Sequence, residues 1–118
     1  MFIISKEYHF SASHQLHHLA DDHPCKRLHG HNYVAVVELQ SNSLNQDGFV
    51  RDYNELDALK LYIDTTLDHR HLNDVLGDDK VTAEQIAKHL FDWCKDKWAE
   101  VSAVRVHETP KTCAEYRP

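Results

Sequence analysis

Apolar and polar residues alternate along three stretches of this chain. The stretches are residues 2–14, 29–40 and 101–108. Side chains two positions apart lie on the same face of a strand, so each stretch predicts a strand with one buried face. A short fourth strand is expected at a sheet edge, over residues 113–117. In the first stretch, the apolar parity that includes Phe10 and Ala12 ends in His14.

Apolar residues at helical spacing occur in two further segments, between the second and third predicted strands. The first helix has Leu56, Leu59, Ile63 and Leu67 on one face, and the second has Ala83, Ile86, Ala87, Leu90 and Cys94. Asp52 with Glu55, and Thr82 with Gln85, have the three-residue spacing of capping boxes. Each pair therefore predicts where one of the two helices begins.

The order strand, strand, helix, helix, strand, strand indicates an α+β fold. Segregated strands and helices favour a mainly antiparallel sheet, and we expect four strands with both helices packed on one face. A chain of 118 residues is long enough to bury a core, so residues 1–118 are predicted to form one domain. The polar stretches 17–28 and 68–74 are predicted to be loops.

Composition argues against two classes of partner. The net charge of −6 disfavours general nucleic-acid binding, which needs a basic face. The start of the chain meets charge too early for a signal peptide, and no apolar run approaches about 18 residues. We therefore expect no membrane partner. The three widely spaced cysteines argue against a disulfide framework and favour a reduced, cytoplasmic location. Cys94 and Cys113 are expected to be packing residues.

Histidine is the outlier in composition, with 11 residues in the chain. His29 and His31 flank Gly30 at the start of the second strand, where alternate side chains share a face. His14 ends the apolar face of the first strand, and Glu108 ends that of the third. If these strands are antiparallel neighbours, their polar ends meet at one rim of the sheet. Three imidazoles would leave a zinc ion an open position for substrate, as in catalytic sites.

Cys25 lies four residues before His29, and the sequence leaves its role open. As a fourth zinc ligand, Cys25 would close the site and make the zinc structural. As a free thiol beside Lys26 and Arg27, it has neighbouring cations that favour the reactive thiolate. An inert loop cysteine is the third possibility.

The sequence also suggests roles for two carboxylates, Asp68 and Glu108. Asp68 adjoins His69, and a carboxylate that orients an imidazole suits a proton relay, with a solvated turn as the alternative. Glu108 is on the buried parity of a strand and needs a partner, either a guanidine-like edge of a ligand or an internal salt bridge. A cupin-type dioxygenase also uses a His-x-His pair, but two helices disfavour that barrel and Glu38 lies too far along the strand.

These motifs in combination resemble the 6-pyruvoyltetrahydropterin synthase and 6-carboxytetrahydropterin synthase family. The resemblance covers nearly the whole chain. It rests on FSASH at 10–14, CKRLHGHNY at 25–33, GFVRDYNEL at 48–56, LDHRHLN at 67–73, TAE at 82–84 and VHET at 106–109. Lys26 and Val81 stand where the family often has glycine and proline, and neither difference removes a chemical group from the site.

The resemblance implies a fold, an assembly and a set of site residues. The fold would be the tunnelling fold, assembled into trimers and hexamers, with sites between subunits. Zinc would be bound by His14, His29 and His31. Cys25 would be the proton-abstracting thiolate, Asp68 and His69 its relay, and Glu108 the anchor of the pterin's amino-pyrimidine edge.

The resemblance also implies an activity. A zinc-dependent lyase would convert 7,8-dihydroneopterin triphosphate to 6-carboxy-5,6,7,8-tetrahydropterin, acetaldehyde and triphosphate, in queuosine biosynthesis. The short chain looks more like the bacterial carboxy enzyme than the longer pyruvoyl enzyme, which is the alternative. A non-catalytic zinc-binding module is a further alternative. The triphosphate needs cationic partners, and the candidates are Lys26, Arg27, Arg51, Arg70 and Lys111.

Overall fold

The protein folds as a four-stranded antiparallel sheet covered by helices. The computed structural model describes residues 1–118. The strands are β1 (Phe2–His14), β2 (His29–Ser41), β3 (Val101–His107) and β4 (Ala114–Tyr116), and each pairs with the next. The α+β prediction and all four strands are confirmed. β3 ends one residue earlier than expected, so that Glu108 is the first residue beyond it.

The long pairing of β1 with β2 determines where the polar strand ends lie. The register runs from Phe2 opposite Ser41 to His14 opposite His29, and it places His31 opposite Ala12. A Cβ at position 30 would lie 3.1 Å from the backbone oxygen of Ala12. Glycine between the two histidines therefore allows β1 and β2 to approach closely at this end.

Helical structure lies between β2 and β3. The α-helices are α1 (Asp57–Tyr62), α2 (Leu72–Leu76) and α3 (Ala83–Lys97). A 3₁₀ turn, Tyr53–Leu56, leads into α1, and a π-helical turn, Ile63–Leu67, continues it. The first predicted helix is therefore a composite of three helical types.

The two predicted capping boxes have different outcomes. The Thr82 side chain accepts a hydrogen bond from the Gln85 amide, and Gln85 reaches back to the Thr82 amide, as predicted for α3. Asp52 instead accepts from the Asn54 amide at 2.9 Å and caps the 3₁₀ turn. The box with Glu55 is wrong, because a 3₁₀ start brings the second amide rather than the third to the cap.

The short helix α2 lies in the stretch 68–74 that was predicted to be a loop. Its five residues are too few to show a helical period in the sequence. Asn73 is nevertheless buried, and its side-chain amide takes the place of a backbone hydrogen-bonding partner for Gln15. It accepts from the Gln15 amide at 2.9 Å and donates to the Gln15 oxygen at 2.7 Å. Helix α2 thus attaches to the chain directly after β1.

One face of the sheet carries the core. A single cluster of 24 buried residues joins strand residues such as Tyr33 and Leu39 to helix residues such as Leu59 and Leu90. This arrangement confirms that the helices pack on one face. Cys94 belongs to the cluster, and burial raises the pKa of its thiol to about 12. Cys113 is exposed, so its predicted packing role is wrong, because the residue lies outside the short strand β4.

No helix in the structure is both long enough and apolar enough to cross a bilayer.

Candidate functional site

Three histidines converge at one end of the sheet. His14 is the last residue of β1, and His29 and His31 are the first and third residues of β2. Their ligand nitrogens all lie within 4.8 Å of one another. The side-chain parity and the antiparallel register together produce this cluster, which can hold a metal ion.

The hydrogen bonds of two of these rings define their tautomers. The Nδ1 of His14 contacts the Val81 carbonyl oxygen at 2.7 Å, and the Nδ1 of His29 contacts the Arg27 carbonyl oxygen at 2.6 Å. A carbonyl only accepts, so both Nδ1 atoms must donate, which leaves each neutral ring a lone pair on Nε2. The two Nε2 atoms face each other at 2.8 Å. Two lone pairs at that distance require a cation between them.

The environment of the cluster favours a metal ion over a proton as that cation. His14 is 1% exposed, and burial lowers its pKa. Burial also lowers the pKa of His31. A metal ion binds the neutral imidazole, so groups that resist protonation are suited to it.

Two residues from outside the sheet hold His14 in place. The Val81 carbonyl, just before α3, accepts from the His14 ring and so orients its Nε2 towards the cluster. Asn73 pairs with both backbone groups of Gln15, the residue after His14. Such outer partners orient metal ligands and tune their affinity. Sequence reasoning assigned neither residue a role, although Asn73 is part of the quoted LDHRHLN motif.

Glu108 meets the same cluster. Its Oε2 lies 3.2 Å from the His31 Nε2 and 3.4 Å from the His14 Nε2. The structure therefore brings these four residues, from three strand ends, together at one rim. Within one chain, the groups nearest to the Glu108 carboxylate are imidazoles.

Cys25 lies apart from the cluster, in the loop between β1 and β2. It occupies a 3₁₀ turn, Pro24–Lys26, and is partly buried. Its amide donates to the His23 Nδ1, and its carbonyl accepts from the Leu16 amide. The side chains whose ligand atoms meet at the metal cluster do not include Cys25. A closed zinc site with Cys25 as the fourth ligand is not formed.

Asp68 and His69 form a pair along the outer edge of β1. The Ser11 amide donates to Asp68 Oδ1 at 2.8 Å, and the His69 Nδ1 donates to Asp68 Oδ2 at 2.8 Å. These two donors, with the Ser11 amide the stronger, lower the pKa of Asp68. An ionised Asp68 therefore fixes the tautomer of His69 and leaves its Nε2 free to exchange protons.

The backbone of His69 has a left-handed conformation, with φ of 59°. A non-glycine residue adopts this conformation at a cost, and such strain is common at functional sites. Two backbone hydrogen bonds hold it: the His69 amide donates to the Ser11 oxygen at 2.6 Å, and the Ser13 amide donates to the Arg70 oxygen at 3.1 Å. Residues 69–70 thus run against β1 and present the His69 ring to solvent.

A polar cavity of about 470 Å³ adjoins this pair and shares His31 with the metal cluster. Its lining includes five nitrogen-bearing side chains and no carboxylate, although the chain as a whole is acidic. The lining residues are Ser11, Ala12, Ser13, Gly30, His31, Asn32, His69, Arg70 and His71. A cavity of this composition suits an anionic group.

Comparison with known proteins identifies the family. The model of the family described as 6-pyruvoyl tetrahydropterin synthase matches residues 3–118. The chain belongs to this family. Membership in a family of pterin synthases supports an enzymatic role for the chain.

The similarity to individual pterin synthases extends over nearly the whole chain. A 6-carboxy-5,6,7,8-tetrahydropterin synthase of Synechocystis is 38% identical, over 96% of this chain and 88% of that protein. A 6-pyruvoyl tetrahydrobiopterin synthase of Drosophila melanogaster is 30% identical, over 92% and 74% respectively. The solved 6-pyruvoyl tetrahydropterin synthase of Caenorhabditis elegans superimposes with a TM-score of 0.83 at 30% identity, covering 100% and 97% of the two chains.

The predicted site residues fall into separate groups within one chain. The first group is His14, His29, His31 and Glu108, and the second is Asp68 with His69. The Cys25 thiol makes no hydrogen bond to either group. A single chain therefore contains all the predicted site residues, but its Cys25 makes no hydrogen bond to Asp68 or His69, the predicted relay.

The structure also distinguishes among the five candidate cations for a triphosphate. Lys26 forms an ion pair with Asp21, and Arg51 forms a two-pronged pair with Glu100 at 3.0 Å. The side chain of Arg70 donates only to a backbone oxygen, at 3.3 Å, and it lines the polar cavity. The side chains of Arg27 and Lys111 make no hydrogen bond or ion pair, but both residues lie outside that cavity.

Proposed function

We propose that this chain is a zinc-dependent 6-carboxy-5,6,7,8-tetrahydropterin synthase. It would convert 7,8-dihydroneopterin triphosphate to 6-carboxytetrahydropterin, acetaldehyde and triphosphate, a step of queuosine biosynthesis. The observation that carries the proposal is the three-histidine cluster, with the Nε2 atoms of His14 and His29 2.8 Å apart, in a chain of the pterin synthase family. Three neutral imidazoles are a common donor set for catalytic zinc.

The choice of the carboxy product follows the similarity. The chain is 38% identical to the Synechocystis carboxy synthase, over nearly its full length, and 30% identical to the Drosophila pyruvoyl enzyme. The pyruvoyl product is the second candidate, because both enzymes belong to the same family. The product assay below separates the two.

Each residue group has a role in this proposal. Zinc held by His14, His29 and His31 would supply a Lewis acid for the hydroxyl groups of the substrate side chain. Cys25, as thiolate, removes the carbon-bound proton beside the pterin ring. His69, held by Asp68, carries protons to and from the reacting side chain.

Substrate binding has two anchors. Glu108 pairs with the amino-pyrimidine edge of the pterin, since that edge offers two parallel donors to a carboxylate. Arg70 holds the triphosphate in the polar cavity, where no acidic side chain competes for it. Because Cys25 makes no hydrogen bond to Asp68 or His69 within one chain, we propose that the complete site forms between subunits of a homo-oligomer.

The test is turnover of 7,8-dihydroneopterin triphosphate by the purified protein, with acetaldehyde and triphosphate measured together. We expect both products in equal amounts. Triphosphate without acetaldehyde would contradict the carboxy assignment and support the pyruvoyl enzyme. The absence of both products, with zinc bound, would contradict the synthase proposal altogether.

Substitution of Cys25 by alanine separates the catalytic thiol from a structural one. We expect Cys25→Ala to lose at least about 100-fold in turnover, as for loss of a general base, while it retains its zinc. Cys94→Ala is the control thiol substitution, because Cys94 is buried in the core and lies outside the proposed machinery. Loss of zinc from Cys25→Ala would instead support a structural zinc module.

A further inference from the structure

Glu108 contacts two of the nitrogens that can bind the metal, in addition to its proposed role in substrate binding. It follows β3 directly, and one of its oxygens, Oε2, makes both contacts with the cluster. The distances are 3.2 Å to the His31 Nε2 and 3.4 Å to the His14 Nε2. The side chain is largely covered, with 27% of its surface exposed.

These two distances are of the size that separates neighbouring ligand atoms in a tetrahedral metal site. Zinc binds histidine nitrogen and carboxylate oxygen at about 2.0–2.2 Å, which separates neighbouring ligand atoms of a tetrahedron by about 3.3 Å. The Oε2 of Glu108 stands at that separation from two of the three nitrogens. Carboxylate oxygen is also an ordinary zinc ligand beside imidazole.

We propose that Glu108 is the fourth ligand of the metal in the substrate-free protein and that it leaves the metal when the pterin binds. A divalent ion held by three neutral imidazoles keeps two positive charges at a largely buried site. One carboxylate halves that charge and occupies the open position. The exchange of Glu108 between metal and pterin rests on the proposed function, whereas its role as a ligand does not.

Glu108 also borders an open space that can receive a ligand. It lines a cavity of about 220 Å³ together with Glu84, Thr112 and Cys113. The residue therefore contacts the metal cluster and lines a separate cavity. The proposed exchange moves its carboxylate from the cluster to a ligand in that cavity.

The consequence is a coupling between recognition and activation. A ligand that offers the carboxylate two parallel donors draws Glu108 from the metal and opens the position that the substrate hydroxyls need. A molecule without such an edge leaves the metal closed. The same residue then discriminates against substrates that lack an amino-pyrimidine edge.

The experiment uses the full chain loaded with cobalt(II), whose visible absorption reports ligand number and type. Wild type is compared with Glu108→Gln, which keeps the shape of the side chain, and with Glu84→Gln as a control. Glu84 lines the same cavity and undergoes the same charge change. We expect Glu108→Gln to weaken zinc and cobalt binding by at least about 10-fold and to change the cobalt spectrum, with Glu84→Gln unchanged.

Equal metal affinity and an identical cobalt spectrum in Glu108→Gln would overturn the ligand role. For the exchange, 7,8-dihydroneopterin is added to the cobalt-loaded wild type, and we expect the spectrum to change. An unchanged spectrum on saturation overturns the exchange. A Glu108-dependent spectrum in a protein without turnover refutes the synthase proposal alone, and turnover with a Glu108-independent spectrum refutes the ligand role alone.

Discussion

Arg70 is the single residue on which binding of the triphosphate depends in the proposed function. Its guanidinium lines the polar cavity and donates only to the Thr65 oxygen, so most of its donors are available. A hydrogen bond to a charged group contributes about 1.5–3 kcal/mol, which corresponds to roughly 10–150-fold in binding. We expect Arg70→Ala to raise KM by such a factor and to weaken inhibition by inorganic tripolyphosphate equally.

Lys97→Ala is the control for this prediction, because it removes the same charge from an exposed position at the end of α3. Steady-state kinetics with tripolyphosphate as inhibitor measures both variants. If Arg70→Ala and Lys97→Ala shift KM equally, net charge rather than a local contact is responsible. If neither shifts it, the triphosphate binds elsewhere.

The sequence predicted the positions of the histidines at the site. It did not predict the residues that orient them through backbone groups. His29 and His31 stand two positions apart on a strand, and the parity of β1 leads to His14, so their convergence follows from two simple rules. Val81 contributes only a carbonyl oxygen, which every residue possesses. Asn73 matters because α2 brings it to Gln15, and a five-residue helix leaves no pattern in the sequence.

Among the secondary-structure elements, an ion-pair network around the buried Glu38 joins β4 to the rest of the sheet. Glu38 of β2 is 6% exposed and accepts from Arg117, just beyond β4, at 2.7 and 3.1 Å. Ser102 and Arg105 of β3 also donate to it. The Arg117 hydrogen bonds are the largest cause of the low pKa of Glu38, about 2 against an ordinary 4.5. The short strand β4 is therefore attached by charge as well as by its backbone pairing.

The network predicts a specific sensitivity to acid. A carboxylate whose pKa is lowered by folding stabilises the folded state above its unfolded pKa, near 4.5, and loses that effect as the pH falls towards 2. The shift corresponds to roughly 3 kcal/mol at neutral pH. We expect Glu38→Gln to lose about that much and to show a flatter stability profile between these two pH values. Urea unfolding at several pH values provides the measurement.

Asp47→Asn is a suitable control for the acid experiment, because Asp47 is exposed and its carboxylate makes no hydrogen bond or ion pair. This variant should retain the wild-type dependence on pH. A Glu38→Gln protein that loses stability in acid as steeply as wild type would show that other carboxylates govern the transition.

Elements with a long, regular pattern were predicted well, and the helical segment before His69 was not. The spacing of Leu56, Leu59, Ile63 and Leu67 fits one α-helix, yet the segment changes from 3₁₀ to α to π. The π turn closes with the Asp68 amide bonded to the Ile63 oxygen at 2.9 Å. Packing against β1 selects this ending, and packing is absent from a local pattern.

For the whole molecule, the sequence predicted which residues meet where strands pair, but not how the loops lie relative to one another. The antiparallel register joins the histidines and Glu108, because the strands that hold them pair directly. Cys25 and Asp68 lie in separate loops, and no pairing rule relates one loop to another. The resemblance to the pterin synthase family supplies the missing element, since it implies sites shared between subunits.

The metal cluster also predicts the response of the whole fold to metal removal. Its ligands come from β1 and β2, so a bound ion joins the two strands at the end where the connecting loop leaves the sheet. A ligand that binds only the folded state at 100 times its Kd adds about 2.7 kcal/mol. For a domain of this size, that addition corresponds to a Tm increase of about 10 °C.

We therefore expect the Tm to fall by about 10 °C when a chelator removes zinc and to recover when zinc is restored. His29→Ala should have the low Tm in both conditions, because one of the three nitrogens is missing. His9→Ala, at an exposed position of β1, should behave as wild type. A Tm that does not respond to zinc in the wild type would mean that the short His14–His29 contact is bridged by a proton, and the site would then not be a metal centre.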